Sequence, residues 1–489
     1  MLVPLIIFLF GFSLAQKYEP TWASIDSRPL PQWYDEAKFG IFCHWGVYSV
    51  PAFKSEWFWN HWKGSPPDEE VVEYVEKNYP PGFSYADFGH EFRAQDFNAS
   101  HFVELVKSSH ARYFVFTSKH HEGFTMWPSA ESWNWNSVDV GPHRDIVGEL
   151  KTEFSKTDIH FGLYFSQYEW FHPYYLQNNT NLYPERVSYP QMVDIVKKYG
   201  PEVIWSDGDW DRTDEYWRSK EFLAWLYNES PVKNRVVVND RWGRGIMGQH
   251  GGFLTYSDHF DPGHLLARKW ENCLTLDVAS WGHRRSMKAA DVRTTKDLIT
   301  QLARTISCGG NMLLNFGPDR FGNVAPIFEE RLRNLGKWVE TNEEAIFGSK
   351  PWIYQNDSDS VWYTSKLRSE ANSALKNPIF NYQNKADTVI YAFVLDVPSN
   401  GLVKLTSVTY TKEIKISLLG SSQLLKAKKE TQGITVDVSV IPWKALASTE
   451  SIVLKIEHAA SDYNVNPIKK LQRLGLLDRE GRSVNTLAF

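Results

Sequence analysis

The stretch VIWSDGDW, residues 203–210, sets the question of the fold. Val203, Ile204 and Trp205 run straight into Asp207 and Asp209, which stand on either side of Gly208 and in front of Trp210. A buried apolar strand that ends in two carboxylates beside indole rings forms a turn, binds an ion or handles a sugar. Asp-Gly pairs favour turns, so this stretch alone leaves all three readings open.

The same order of residues recurs along the chain. FGIFCHWG (39–46), YFVFTSKHH (113–121), HFGLYFS (160–166), PEVIWSDGD (201–209), RVVVNDRW (235–242), FLTYSDHF (253–260) and GNMLLNFGP (310–318) read as short strands separated by helical stretches. Near-continuous apolar runs alternating with helices imply parallel strands buried on both faces. In most of them the reactive residues come last: His44, His120 and His121, Tyr164, Asp207, Asp240 and Arg241, and Asp258. Polar groups gathered at the C-terminal ends of parallel strands predict a (β/α)8-type barrel with its site at that mouth. An open doubly wound sheet collects ligands there too, but no glycine-rich phosphate fingerprint follows the first strand. The expectation is therefore an α/β barrel over residues 16–350. Two of its helices are predicted at 295–307, with Leu298, Leu302 and Ile306 inward, and from Pro326, with Ile327, Leu332, Leu335 and Val339 inward.

Beyond about residue 350 the pattern changes to short, alternating, turn-bounded runs such as TVIYAFVLDV (388–397) and SIVLKIEH (451–458). This predicts a C-terminal antiparallel β-sandwich over 351–460, followed by a polar tail at 461–489.

Composition narrows the function. The chain carries 53 basic and 58 acidic residues, a net of −5, which makes no electrostatic case for nucleic acid or an anionic membrane. Aromatic residues make up 15%, with 21 Trp; indoles and phenols supply flat apolar faces with a polar edge, which suit sugar rings. Residues 1–15, MLVPLIIFLFGFSLA, read as a cleaved secretory signal, too short for a bilayer span. Four N-x-S/T sequons, at Asn98, Asn178, Asn228 and Asn356, suit that route, to a secreted or lysosomal destination. Three cysteines, Cys43, Cys273 and Cys308, permit one disulfide at most.

At the strand ends, two carboxylates flanking a glycosidic bond are the minimal machinery of a glycoside hydrolase. His44, His120 and His121 invite a metal reading, but no HExxH or HxH spacing supports zinc, and no cofactor is implied. Imidazoles that hydrogen-bond hydroxyls match the donor-and-acceptor character of a sugar. Glu56-Trp57 reads either as a helix surface or as a carboxylate accepting from hydroxyls beside an indole face.

Taken together, WYDEAKFGIFCHWGVYSVPAF, TSKHHEGFTMWPS, GLYFSQYEWFHP, VIWSDGDW, VVVNDRWG and PGHLLARKWENC resemble the α-L-fucosidases of glycoside hydrolase family 29, the animal lysosomal and secreted enzymes most closely. The resemblance covers residues 20–460 and implies a retaining exo-glycosidase acting on fucosylated glycans. It implies Asp207 as nucleophile, as the first Asp of the family's W-x-D motif, and His44, Glu56, Trp57, His120, His121, Tyr164 and Arg241 as fucose-binding residues, with Trp281 as a further wall. Cys273 lies in the signature; retaining hydrolysis needs no thiol, so a packing role is expected. Two carboxylates compete as acid/base. Asp258 ends a strand-like run, as Asp207 does, whereas Glu271 follows Lys269, whose charge, if close, would keep it ionised; Asp258 is favoured. Asp209, past Gly208, is expected to swing with its loop. The alternative function is a secreted fucose-binding, lectin-like protein without catalysis. Self-association as a homo-oligomer is left open.

Overall fold

The structure is a computed structural model that describes residues 17–177, 180–368, 388–421, 423–446, 450–460 and Gln472. The expected signal segment 1–15, the Asn178 sequon and all of the expected 461–489 tail but Gln472 lie outside the described residues.

Among the described residues the N-terminal part holds seven parallel strands: β1 (Phe39–Cys43), β2 (Tyr113–Lys119), β3 (His160–Ser166), β4 (Val203–Asp207), β5 (Val237–Val238), β6 (Trp270–Thr275) and β7 (Gly310–Phe316). They lie in the order β5-β4-β3-β2-β1-β7-β6, with Gly40 opposite Tyr113, Tyr113 opposite His160 and Gly162 opposite Val203. Each strand is buried along nearly its whole length, which explains the continuous apolar runs. Alternate residues face opposite sides: Phe42, Tyr113, Val115, Tyr164, Val203, Trp205 and Leu313 form an inner cluster, while Ile41, Phe114, Phe116, Phe165 and Ile204 pack outward beneath the helices.

The curled sheet departs from eight regular strands at one place. Residues 253–260, expected as a strand, contribute a single bridge, Leu254 to Trp270. Here Gly252 N and Phe253 N donate to Val238 O, Leu254 N to Lys269 O, and Glu271 N to Leu254 O. These few residues thus join the edges β5 and β6. Tyr256 then takes a positive φ of 56°, which carries the chain out of the sheet before Asp258 can end a strand. In turn WENCLT (270–275), not counted among the expected strands, is a regular one.

Both expected helices form. Thr295–Ser307 starts in a capping box in which Thr294 accepts from Asp297 N and Asp297 caps Thr294 N, a device worth about 1 kcal/mol. Pro326–Thr341 buries Phe328, Leu332, Leu335 and Val339; Ile327 is only partly buried, and Phe328 takes the inward position expected for it.

The C-terminal strands are antiparallel. β8 (Lys350–Ser358), β9 (Val361–Leu367), β10 (Thr388–Val394), β12 (Lys415–Leu418), β13 (Leu424–Leu425) and β16 (Ile452–Glu457) form one sheet, and β11 (Leu402–Leu405), β14 (Ala427–Lys429) and β15 (Ile434–Asp437) another. A shared core including Tyr363, Ile390, Leu405, Val436 and Leu454 lies between them. Where the two parts meet, Lys350 at the start of β8 pairs with buried Asp35, which also holds Lys38 and Lys269 at 3.2 and 2.8 Å.

Candidate active site

Asp207 is the last residue of β4, and Trp205, two residues earlier, faces the same interior side. The indole of Trp205 donates to Glu271 Oε1 at 2.9 Å and carries the guanidinium of Arg241 over its ring, 4.5 Å from the centroid. Arg241 lies just past β5. Its Nε donates to Thr255 Oγ1 at 3.1 Å, Nη1 to Asp207 Oδ1 at 2.9 Å and Nη2 to Asp258 Oδ1 at 2.5 Å. Tyr164 donates its hydroxyl to Asp207 Oδ2 at 2.8 Å. Both oxygens of Asp207 are therefore aimed by charged or phenolic donors, while Asp258 reaches the same guanidinium from a half-exposed loop.

The three histidines stand beside this pair. The rings of His120 and His121 are 4.0 Å apart, those of His44 and His120 5.8 Å, and Tyr164 lies 5.4 Å from His44. Asn315 at the end of β7 donates Nδ2 to Trp281 O at 2.7 Å, so its Oδ1 accepts from Nδ1–H of His44 at 2.7 Å. That assignment leaves Nε2 of His44 a bare acceptor. Ser166 donates to Tyr168 O at 2.8 Å and contacts Nδ1 of His121 at 2.7 Å, which gives His121 the same tautomer. Burial, reinforced by the neighbouring imidazoles, holds both His44 and His121 well below the usual histidine range, so both are neutral acceptors. Nε2 of His121 lies 3.6 Å from Asp207 Oδ2.

Glu56 is buried and spends Oε2 on Ser280 Oγ, Trp281 N and Gly282 N at 3.0–3.1 Å. Trp281 stands 5.0 Å from His44. On the other side Trp57 meets His121 at 5.3 Å, Trp170 at 5.1 Å and Trp210 at 6.2 Å. Cys273 is buried with Sγ 3.9 Å from Asp258 Oδ1; burial, then the Asp258 charge, push its thiol well up, so it packs as a neutral thiol. Cys43, like Cys273, is a buried free thiol.

Glu271 belongs elsewhere. It is the second residue of β6, fully buried, and accepts from Tyr34 OH at 2.6 Å, Tyr113 OH at 2.7 Å and Trp205 Nε1 at 2.9 Å. Tyr113 begins β2, so this cluster occupies the layer below the site rather than its mouth. Lys269 spends its ammonium on Asp35; burial raises the Glu271 carboxyl, against the pull of its three hydrogen bonds and of the Lys269 charge. Glu271 thus stands apart from the two carboxylates that Arg241 spans.

Asp209 is tied down on both its side chain and its backbone. It is 4% exposed, accepts from Gly243 N at 2.7 Å, and its carbonyl accepts from Trp217 Nε1 at 2.9 Å. Gly208 at φ 65° makes the turn between the two carboxylates, and a Cβ there would strike the Tyr168 ring at 2.2 Å. Asp240, though it ends a strand-like run, organises the following loop by accepting from Gly248 N, Thr255 N and Thr255 Oγ1. Asn315, Ser166 and Thr255 are site residues that the sequence reading does not pick out; Ser166 ends β3 and Asn315 is the last residue but one of β7, so the rule that picks out Asp207 reaches both.

Comparison with known proteins gives the family. The family model described as Alpha-L-fucosidase matches residues 12–344, and that of the Alpha-L-fucosidase C-terminal domain matches 355–457. A Caenorhabditis elegans protein provisionally named alpha-L-fucosidase is 60% identical over 459 residues, 92% of this chain and 95% of its own. The plasma alpha-L-fucosidase of Homo sapiens is 47% identical over 436 residues, 87% of this chain and 89% of its own. The crystal structure of Thermotoga maritima alpha-fucosidase with a mechanism based inhibitor superposes with a TM-score of 0.74 at 28% identity, covering 90% of this chain and all of that one. With its inner-face carboxylates, imidazole cluster and C-terminal sandwich, the chain belongs to the α-L-fucosidase family.

Proposed function

We infer that the protein is a retaining α-L-fucosidase in which Asp207 is the nucleophile and Asp258 the acid/base. The observation that carries the assignment is Arg241, one guanidinium spanning both carboxylates. They share a locus on the scale of the about 5–5.5 Å separation that double displacement requires.

In the first step Asp207 attacks the anomeric carbon while Asp258 protonates the leaving oxygen; in the second, Asp258 accepts a proton from water, which displaces Asp207. Tyr164 and Arg241 hold the Asp207 carboxylate near its attack position, which matters because misplacement by about 1 Å can cost about a hundredfold. Asp258 reaches the leaving oxygen by giving up its Nη2 contact, which would otherwise keep it ionised, and takes up the proton it donates as it leaves, a movement its half-exposed loop allows. His44, His120, His121 and the remaining oxygen of Glu56 receive the sugar hydroxyls, and Trp57 and Trp281 wall the ring. A lectin would need those acceptors but not two carboxylates converging on one arginine.

The substrates are fucosylated glycans. Passage through the secretory pathway is supported by the plasma relative and by the exposed sequons Asn98 and Asn356. Asn228 is the weaker acceptor, since it is partly buried and its amide is engaged on both sides by Tyr18, Nδ2 donating to Tyr18 O at 2.8 Å and Oδ1 accepting from Tyr18 N at 2.9 Å. No helix among the described residues is long and apolar enough to cross a membrane.

The test follows an aryl α-L-fucoside by proton NMR: the first-formed fucose should be the α anomer. First-formed β-fucose would refute double displacement, and absence of release would refute the activity.

A further inference from the structure

His120 has a partner that the mechanism above does not use. Its ring lies nearly parallel to Tyr164, at 5.7 Å and 13°, and its Nδ1 stands 3.5 Å from Oε2 of Glu122, two residues on. Both side chains are at least 96% buried, yet neither of these two atoms makes a hydrogen bond. The hydroxyls of Tyr48 and Tyr85 are also buried without one, and both feel the Glu122 charge. Such orphaned polar atoms are rare in folded proteins and mark places where a use must be sought.

The position of Glu122 is firmly determined. Trp135 Nε1 donates to its carbonyl at 3.0 Å. A Cβ on Gly46 would lie 3.1 Å from Glu122 Oε1, and one on Gly123, at φ 82°, would meet the Glu169 carboxylate at 2.5 Å. The other two imidazoles of the site have Nδ1 engaged by neutral groups, Asn315 and Ser166; His120 alone of the three faces a carboxylate there.

We propose that Glu122 is a positioning residue that accepts a hydrogen bond from Nδ1–H of His120, thereby fixing the tautomer whose Nε2 lone pair receives a sugar hydroxyl. The contact is loose in the free enzyme and closes when the sugar draws the ring into place. The inference rests on the reading of His120 as a fucose-binding residue.

A double-mutant cycle on the full-length protein tests it, with kcat and KM measured on an aryl α-L-fucoside for wild type, Glu122→Leu, His120→Ala and the double variant, each checked by thermal melting. Glu122→Leu should raise KM about tenfold or more, with a smaller change in kcat, because it removes one charge-assisted hydrogen bond that orders a binding group. In the His120→Ala background the same change should alter kcat/KM less than about twofold, since coupled residues are not additive. Additive losses, or an unchanged KM in Glu122→Leu, would overturn the proposal and leave the sugar-binding reading of His120 intact. An unchanged KM in His120→Ala would overturn both. If Glu122→Leu does not fold, Glu122→Gln serves the same cycle: the smaller rise in KM from losing the charge should again vanish without His120, and its persistence there would overturn the proposal.

Discussion

Arg241 donates through Nη1 to Oδ1 of Asp207 at 2.9 Å, from a guanidinium held over the Trp205 ring. The W-x-D spacing follows from this contact: residues i and i+2 share the inner face of a strand, so the indole supports the arginine that aims the carboxylate. Lysine offers neither the fork nor the stacking plane. Arg241→Lys should therefore lose kcat/KM by about a hundredfold or more while its melting temperature changes little. Near-wild-type kinetics would show that a point charge at this place is enough.

The acid/base assignment is read from leaving-group dependence. Asp258→Ala should turn over a fucoside with a good leaving group in its first step almost as wild type does, and should lose activity on natural glycans by about 10²–10⁴-fold, the usual contribution of a proton donor. If Glu271→Ala shows that split and Asp258→Ala does not, the roles are reversed.

Glu271 makes a different prediction. Glu271→Leu leaves the hydroxyls of Tyr34 and Tyr113 and the indole of Trp205 without their acceptor, at about 1–3 kcal/mol for each buried donor. Its melting temperature should fall by many degrees, with Glu271→Gln, which keeps one oxygen acceptor, in between. A Glu271→Leu protein that melts normally but is inactive would mean that the residue acts in chemistry.

Asp209 should make stability depend on pH. Burial, then the charge of Asp207, push its carboxyl up to about 7 from 3.8, against the pull of the Gly243 hydrogen bond. The folded protein therefore keeps a proton that the unfolded chain releases. The stabilisation from this group is complete below about pH 4 and is lost as pH rises to about 7, by up to about 4 kcal/mol. Asp209→Asn does not titrate, so its melting temperature relative to wild type should climb across that window and level off above it. A constant difference from pH 4 to 8 would contradict the shift.

The strands carrying the site were legible because burial on both faces leaves a continuous apolar run whose polar ending marks the mouth, as at Asp207 and His120. Three features were not legible. The place of the eighth strand is taken by a single bridge at Leu254, because the positive φ of Tyr256 turns the chain away, and a local backbone twist leaves no mark in hydropathy. Sequence proximity misleads at Glu271: Lys269 stands only two residues away, yet the lysine is drawn to Asp35 and the glutamate to Tyr34, Tyr113 and Trp205, all supplied by distant parts of the chain. Asp209 was read as mobile from Gly208, but its restraint comes from Gly243, 34 residues away, and long-range hydrogen bonds have no local signal.

The most direct measurement on the central claim is the site of covalent labelling. A 2-deoxy-2-fluoro fucosyl substrate with a good leaving group slows the second displacement and leaves the sugar on the nucleophile, where digestion and tandem mass spectrometry locate it. The label should sit on Asp207, at one per chain, and Asp207→Ala should take none while regaining turnover with azide. A label on Asp209 or Asp258, or an Asp207→Ala protein that still takes the label, would contradict the account.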